Sequence, residues 1–228
     1  MRPMAEYHLL QERAYQYLRE LILSDKLKYD MVYSEAQIAE AIGCSRTPVK
    51  DALARLSHAR YVDILPSRGF MLHRLTESDI VNTFQTRVAI EGFCAVTMMQ
   101  ERKSEAGQAA VKQLHELLQA LRALEDGSRP AEFLRCDMAF HAAIVAFVPN
   151  QDFAELYEAQ SYRMEMLADK SLRERGRCAE TVREHEAILR AIESGSIEDC
   201  YQAVLRHNDS TYRRDLEILR REFGAILP

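Results

Sequence analysis

The stretch Ser34 to Leu56, SEAQIAEAIGCSRTPVKDALARL, constrains this chain more than any other, because its pattern demands two short helices joined by a tight turn. Ser34 is placed to cap the first helix, with Gln37 three residues on, the spacing at which side chain and backbone donors cap each other. Ile38, Ala39 and Ile42 form its apolar face. Gly43 comes next, and a glycine just past a helix end takes the left-handed conformation without steric cost. A second helix is expected to start at Ser45, and Pro48 suits its first turn, where backbone amides have no intrahelical partner to lose. Val49, Ala52, Leu53 and Leu56 recur at helical spacing and need burial, which turns Ser45, Arg46, Thr47 and Lys50 outward. A helix lying in the major groove reads bases with residues near its N-terminus. Arg offers guanine a two-pronged fork, while Lys and hydroxyls hold phosphates. Taken alone, Arg46 and Lys50 also fit an ordinary solvated helix face.

The residues after the second helix favour DNA reading. Two runs rich in strand formers, Tyr61 to Leu65 and Phe70 to Leu75, surround Pro66-Ser67-Arg68-Gly69, a hairpin signal. A hairpin directly after a helix-turn-helix is a wing, and Arg68 beside the permissive Gly69 suits close approach to a phosphate backbone or minor groove. Upstream, Leu10, Ala14, Leu18, Leu21 and Ile22 predict an amphipathic helix over residues 9–24, completing a three-helix winged unit. SRTPVKDAL together with LPSRGF resembles the winged helix-turn-helix of GntR-type bacterial transcription regulators, over about residues 8–75. The resemblance implies binding to double-stranded operator DNA through Arg46 and Lys50. The chain departs from the family pattern at Ala36, where FadR-like members can carry a basic residue, and at Tyr29-Asp30, where Pro-Gly is usual.

At 228 residues the chain has room for two modest domains, expected at 1–75 and 76–228. A net charge of −5 looks wrong for a DNA binder until it is divided. Residues 1–74 hold 11 Lys and Arg against 9 Asp and Glu, whereas residues 75–228 hold 19 against 26. The basic character is local, as when one domain meets phosphate and the other does not. Five widely spaced cysteines without a CxxC pair point to neither a disulfide framework nor a cysteine zinc site. The N-terminus lacks the apolar run of a signal peptide, and no segment approaches the roughly 18 apolar residues of a membrane span. A cytoplasmic protein with no membrane partner is expected.

From Thr76 onward one helix succeeds another. Thr76 is expected to cap a helix to about Met99, and Ser104 another to Leu124, with Leu114, Leu117, Leu118 and Leu121 as its stripe. Pro130 suits the first turn of a third, and further helices fit roughly 151–170, 179–193 and 197–222. The fold class is therefore mostly α: a winged helix-turn-helix with a small β-hairpin, then an antiparallel all-α bundle of six or seven helices.

Asp137 and His141 lie four apart, one helical turn, and can chelate one ion, while His185 and His207 sit on later helices. Bundle cores build metal sites in this way, although Asp-x-x-x-His also arises by chance. His8, His58, His73 and His115 have no comparable partners and are read as structural. DMAFHAAIVAFVPN together with the later EHEAILRAIESGSIEDCYQAVLRH resembles the FCD effector domain of the FadR-like branch, over about residues 77–222. That resemblance implies Asp137, His141, His185 and His207 as ligands of a divalent transition metal such as Zn²⁺ or Ni²⁺. Arg87 and Glu91, in TRVAIE, resemble the Arg-x-x-x-Glu at the start of that domain. Either they form an i,i+4 surface pair, or Arg87 turns inward and grips a small anionic effector.

A metabolite-responsive regulator acting as a homodimer on a near-palindromic operator is thus expected, and no enzyme. The alternative is a metal-dependent hydrolase with a nucleic-acid-binding appendage, since three nitrogens plus water can be catalytic. Against it, the sequence shows no HExxH, no nucleophile motif and no second carboxylate recognisable beside the metal set.

Overall fold

A computed structural model describes residues 4–24 and 26–223. Contacts divide the chain into two units, Met1–Leu75 and Thr76–Pro228.

The first unit contains α1 (Met4–Leu23), α2 (Glu35–Ile42), α3 (Arg46–His58), β1 (Val62–Leu65) and β2 (Gly69–Leu72). α1 begins earlier than its apolar periodicity indicates, and Leu10, Ala14, Leu18 and Ile22 are buried as the pattern requires. Ser34 caps α2, but its hydroxyl accepts from the Ala36 amide at 3.2 Å, so the expected reciprocal box with Gln37 is not made. Gly43 ends α2 at φ 73°, its amide turned back to the Ala39 and Glu40 carbonyls. Ser45 is the N-cap of α3 by position only, without a side-chain cap bond. Pro48, Val49, Ala52, Leu53 and Leu56 are buried, fixing which way α3 faces.

β1 and β2 pair antiparallel from Val62↔Leu72 to Leu65↔Gly69, shorter than the two strand-forming runs. At one end the Tyr61 amide donates to Leu56 O, back towards α3. The hairpin gains a third neighbour that no sequence pattern announces. Tyr33 and Phe70 exchange backbone hydrogen bonds of 2.8 and 3.0 Å, tying the segment before α2 to β2. Asp30, in place of the usual glycine, occupies the left-handed region at φ 63°, which Asp tolerates better than most residues. Its carboxylate accepts from Arg74, whose guanidinium also lies 5.9 Å from the Tyr29 ring centre.

The second unit is α4 (Glu77–Glu101), α5 (Glu105–Arg122), α6 (Pro130–Ala146), α7 (Gln151–Leu172), α8 (Arg177–Ser194) and α9 (Ile197–Phe223). Local chemistry starts most of these helices. Thr76 and Asp79 form a reciprocal capping box, the Ser104 hydroxyl accepts from the Gly107 amide, and Pro130 occupies the first turn of α6. Asn150 accepts from the Asp152 and Phe153 amides. Leu114, Leu118 and Leu121 pack with Met98, Phe133, Phe140, Ile144 and Ile188 in one apolar core, with Leu117 half-buried at its edge. α4 and α9 run antiparallel along a long seam. Asn208 donates to Glu91 at 3.2 Å, the Phe84 and Tyr212 rings are 4.9 Å apart, and Arg220 donates to Glu77 at 3.0 Å.

Candidate DNA-reading surface and metal centre

Burial of one face of α3 leaves Ser45, Arg46, Thr47 and Lys50 exposed around its N-terminus. Lys50 Nζ lies 3.8 Å from Glu35 Oε2 with its side chain 62% exposed, a contact too solvated to hold it in place. Arg68 is exposed at the wing tip. Gly69 has an internal reason to be glycine. At φ 123°, a Cβ there would sit 2.1 Å from the Tyr33 carbonyl oxygen. The close approach this glycine permits is thus to the chain's own backbone.

In the bundle, α6 carries Asp137 and His141, α8 carries His185, and α9 carries His207; all four are buried. One ligand atom from each of His141, His185 and His207 falls in a group no more than 4.8 Å across. Nε2 of His185 lies 3.0 Å from Nε2 of His141 and 3.4 Å from Asp137 Oδ1. The outer nitrogens are held from behind. His185 Nδ1 donates to the Thr181 carbonyl at 2.7 Å and His207 Nδ1 to Glu184 Oε2 at 2.9 Å. His141 Nδ1 is 3.2 Å from Glu91 Oε2, within ion-pair reach but off the line of a good hydrogen bond. For His185 and His207, fixing Nδ1 in this way selects the tautomer whose Nε2 lone pair points into the cluster.

Burial pushes the His185 imidazole well below its usual range, and the two neighbouring histidines add to the effect. Burial also lowers His207, against the opposing pull of Glu184. Neutral imidazole is the form that binds metals. His207 Nε2 and Asp137 Oδ1 are buried without a hydrogen-bond partner among the described residues. Orphaned acceptors beside converging imidazole nitrogens, inside a helical bundle, are a donor set that fits a divalent transition ion.

Arg87 is buried, so its surface-pair reading does not hold. Its Nε donates to Glu91 Oε1 at 2.7 Å. Burial raises the Glu91 carboxyl, but Arg87 and His141 outweigh it and hold the group well below its usual range. Burial likewise works against ionised Glu184, yet His207 and Arg177 hold it at about 2. These two carboxylates correct the sequence reading, which recognised no second carboxylate beside the set of Asp137 and the three histidines. Glu184 adjoins His185 in the chain, but its contact is with His207 on another helix, and spacing cannot show that. His73 and His115 each meet an acid instead, Asp63 at 2.9 Å and Glu193 at 2.7 Å. A cavity of about 40 Å³ opens beside the cluster, lined in part by Arg87, Asp137, Arg177, His207 and Asp215.

A winged reading helix joined to a helical bundle with a buried histidine centre defines a two-unit DNA-binding regulator. Residues 10–72 match the bacterial regulatory proteins of the gntR family, and residues 82–210 match the FCD domain. The chain belongs to the gntR family and carries an FCD domain; it is a transcription regulator and not an enzyme. It is 24% identical to the uncharacterised HTH-type transcriptional regulator YdhC of Bacillus subtilis (strain 168), over 90% of this chain and 89% of that one. It is also 24% identical to the Nta operon transcriptional regulator of Aminobacter aminovorans, over 85% of this chain and 87% of that one. Among solved structures, E. coli McbR/YncC shares the fold at a TM-score of 0.70 and 18% identity, covering 94% of this chain and 98% of that one. A GntR regulator from Rhodococcus sp. RHA1 does so at 0.70 and 17%, covering 91% and 97%. Among the described residues, no helix is long and apolar enough to cross a membrane.

Proposed function

We propose that this chain is a metabolite-responsive regulator that binds a near-palindromic operator as a homodimer and changes its DNA affinity when a small carboxylate enters the bundle cavity. The observation that carries the reading is the convergence of three buried imidazoles, one of which, His207, lines a cavity together with the buried Arg87 and Asp137. Asp137, His141, His185 and His207 would hold a divalent ion, zinc or nickel, and such an ion supplies a Lewis-acidic charge for an anionic ligand. Thr181 and Glu184 orient the imidazoles of His185 and His207, and Glu91 stands behind His141 while fixing Arg87. Arg87 contributes a planar cation that meets a carboxylate with two parallel hydrogen bonds.

On the DNA side, Arg46 is assigned to base reading, Ser45, Thr47 and Lys50 to reading or phosphate contact, and Arg68 with Gly69 to the wing contact. One recognition helix reads few base pairs, so a two-fold pair reading two half-sites is the expected arrangement. Exposed apolar side chains on the bundle, Phe93 at 54%, Leu156 at 52% and Ile197 at 57%, support self-association there. Five unpaired cysteines suit a reducing cytoplasm.

Calorimetry of small carboxylates against metal-loaded, metal-stripped and Arg87→Ala protein tests the sensor, with a gel-shift titration on operator DNA as readout of its consequence. Tight binding by loaded wild type alone, together with a shift in DNA affinity, is expected. Equal binding by all three proteins would remove this cavity as the sensor.

A further inference from the structure

The cavity has a second polar end that the metal centre and Arg87 do not use. Asp215 lies on α9 two turns beyond His207, about 12 Å along the helix axis, and lines the same cavity. Because α4 and α9 run antiparallel, with Asn208 on Glu91 and Tyr212 on Phe84, the stretch from His207 to Asp215 lies against α4 from about Glu91 back towards Ile80, so His207 and Asp215 mark opposite ends of the space. Asp215 is only 7% exposed, and its Oδ1 is buried without a hydrogen-bond partner among the described residues. Arg87 and Arg177, the cations whose charge reaches it, are bonded elsewhere, Arg87 to Glu91 at 2.7 Å and Arg177 to Glu184 at 3.0 Å, while Arg163, beside the cavity-lining Thr83, donates to that hydroxyl at 3.0 Å.

A buried carboxylate oxygen left without a partner is costly, because its removal from water is not repaid. It sits where a ligand held at the metal end would place its far group. Resting on the proposal that this cavity is the sensor, the geometry points to an effector that is an ω-amino carboxylate: its carboxylate at the Arg87 and histidine end, its ammonium group donating to Asp215. The two groups are separated by a carbon chain and not carried on one carbon, since two helical turns separate the residues that receive them. Charge balance favours ammonium over hydroxyl. Arg87 and Arg177 each already face a glutamate, so a ligand bringing only negative charge leaves Asp215 uncompensated, whereas a zwitterion neutralises it. Burial, partly offset by the two arginines, pushes the Asp215 carboxyl up to about 7, as expected of a carboxylate awaiting a cation.

The test is calorimetry of zinc-loaded full-length protein against three chain-matched series, each with three to five methylenes. These are ω-amino acids, the corresponding ω-hydroxy acids and the plain alkanoates. Each is measured on wild type, Asp215→Asn and Arg87→Ala, with circular dichroism to establish folding. The amino series should bind wild type about tenfold or more tighter than the other two, and Asp215→Asn should erase that preference while leaving alkanoate binding within about twofold. Hydroxy acids or alkanoates binding as well as amino acids would overturn the Asp215 assignment alone, provided binding still falls in Arg87→Ala. Failure of every series on folded wild type would overturn the sensor reading and this inference together. An amino-acid preference that survives in Asp215→Asn would place the ammonium elsewhere and also defeat the proposal.

Discussion

Glu184 stands behind His207, its Oε2 accepting from the imidazole Nδ1 at 2.9 Å while its Oε1 accepts from Arg177 at 3.0 Å and Ser210 at 2.8 Å. Every oxygen is engaged, and the carboxyl is held at about 2, so Glu184 remains an ionised acceptor throughout the physiological range. Groups that orient a metal-binding imidazole change affinity by about 10–100-fold when removed. Glu184→Gln should therefore weaken zinc binding by about that factor in a chelator-competition titration. His207→Ala should weaken it more, and should also reduce the rise in melting temperature that metal confers, since a ligand bound by the folded state stabilises it by mass action. Unchanged zinc affinity in Glu184→Gln would mean that His207 needs no such support.

On the DNA side, Arg46→Ala should cost about 1–3 kcal/mol of operator affinity and relax preference at one base pair. Lys50→Ala should weaken all sequences alike and lower the salt slope by about one. Both side chains are exposed, so neither change should unfold the protein. Gel-shift titrations at several salt concentrations separate the two behaviours, and wild-type binding by both variants would exclude the start of α3 from the interface.

Gly69→Ala should damage the first unit even without DNA. The new Cβ meets the Tyr33 carbonyl oxygen at 2.1 Å, and φ 123° is unfavourable for any side chain. Backbone strain of this kind costs on the order of 1–3 kcal/mol, before the clash is added. Loss of the Tyr33–Phe70 pairing should appear as faster amide exchange at both positions, whereas unchanged exchange and stability would show that the segment simply moves aside.

The local parts of this structure were the legible ones. Thr76, Ser104 and Pro130 start helices with chemistry contained within one turn, and Val49, Ala52, Leu53 and Leu56 declare a buried face by spacing alone. Ser34 shows the limit of such rules, since its hydroxyl chose the Ala36 amide over that of Gln37. Contacts between distant residues were not legible. Tyr33 on Phe70, Glu184 on His207 and Glu91 beside His141 join segments whose meeting depends on how whole helices and strands pack. Periodicity could place Arg87 and Glu91 on one helix face, but not say that the face is buried. The candidate ligands stood out through family resemblance, and only packing shows how closely the three imidazoles converge.

Self-association should depend on the exposed apolar group of the bundle. Phe93 packs edge-on to Phe153 with ring centres 5.6 Å apart, and Leu156 lies one turn along the same helix as Phe153. Phe93→Glu with Leu156→Glu places charge on this face without touching the core, and should convert a dimer to a monomer in light scattering. An unchanged mass would assign the dimer contact to another surface, and a monomeric wild type would end the homodimer proposal.

Asp215 gives the pH dependence its sign. Its folded-state value of about 7 stands above the ordinary 3.8 expected of the unfolded chain, with burial the main cause. Between those values the unfolded state has released a proton that the folded state keeps, so stability falls as pH rises through the window, by at most about 1.4 kcal/mol per pH unit. The contribution is fully present below the unfolded value and lost by the time the pH passes the folded one. Asp215→Asn cannot ionise and should lack this slope. Metal-stripped wild type should therefore lose melting temperature relative to the Asn variant as pH is raised from 5 to 8, with the difference levelling off above about 7. Parallel melting curves across that range would mean that Asp215 finds a partner or solvent in the folded protein and ionises as freely as it does in the unfolded chain.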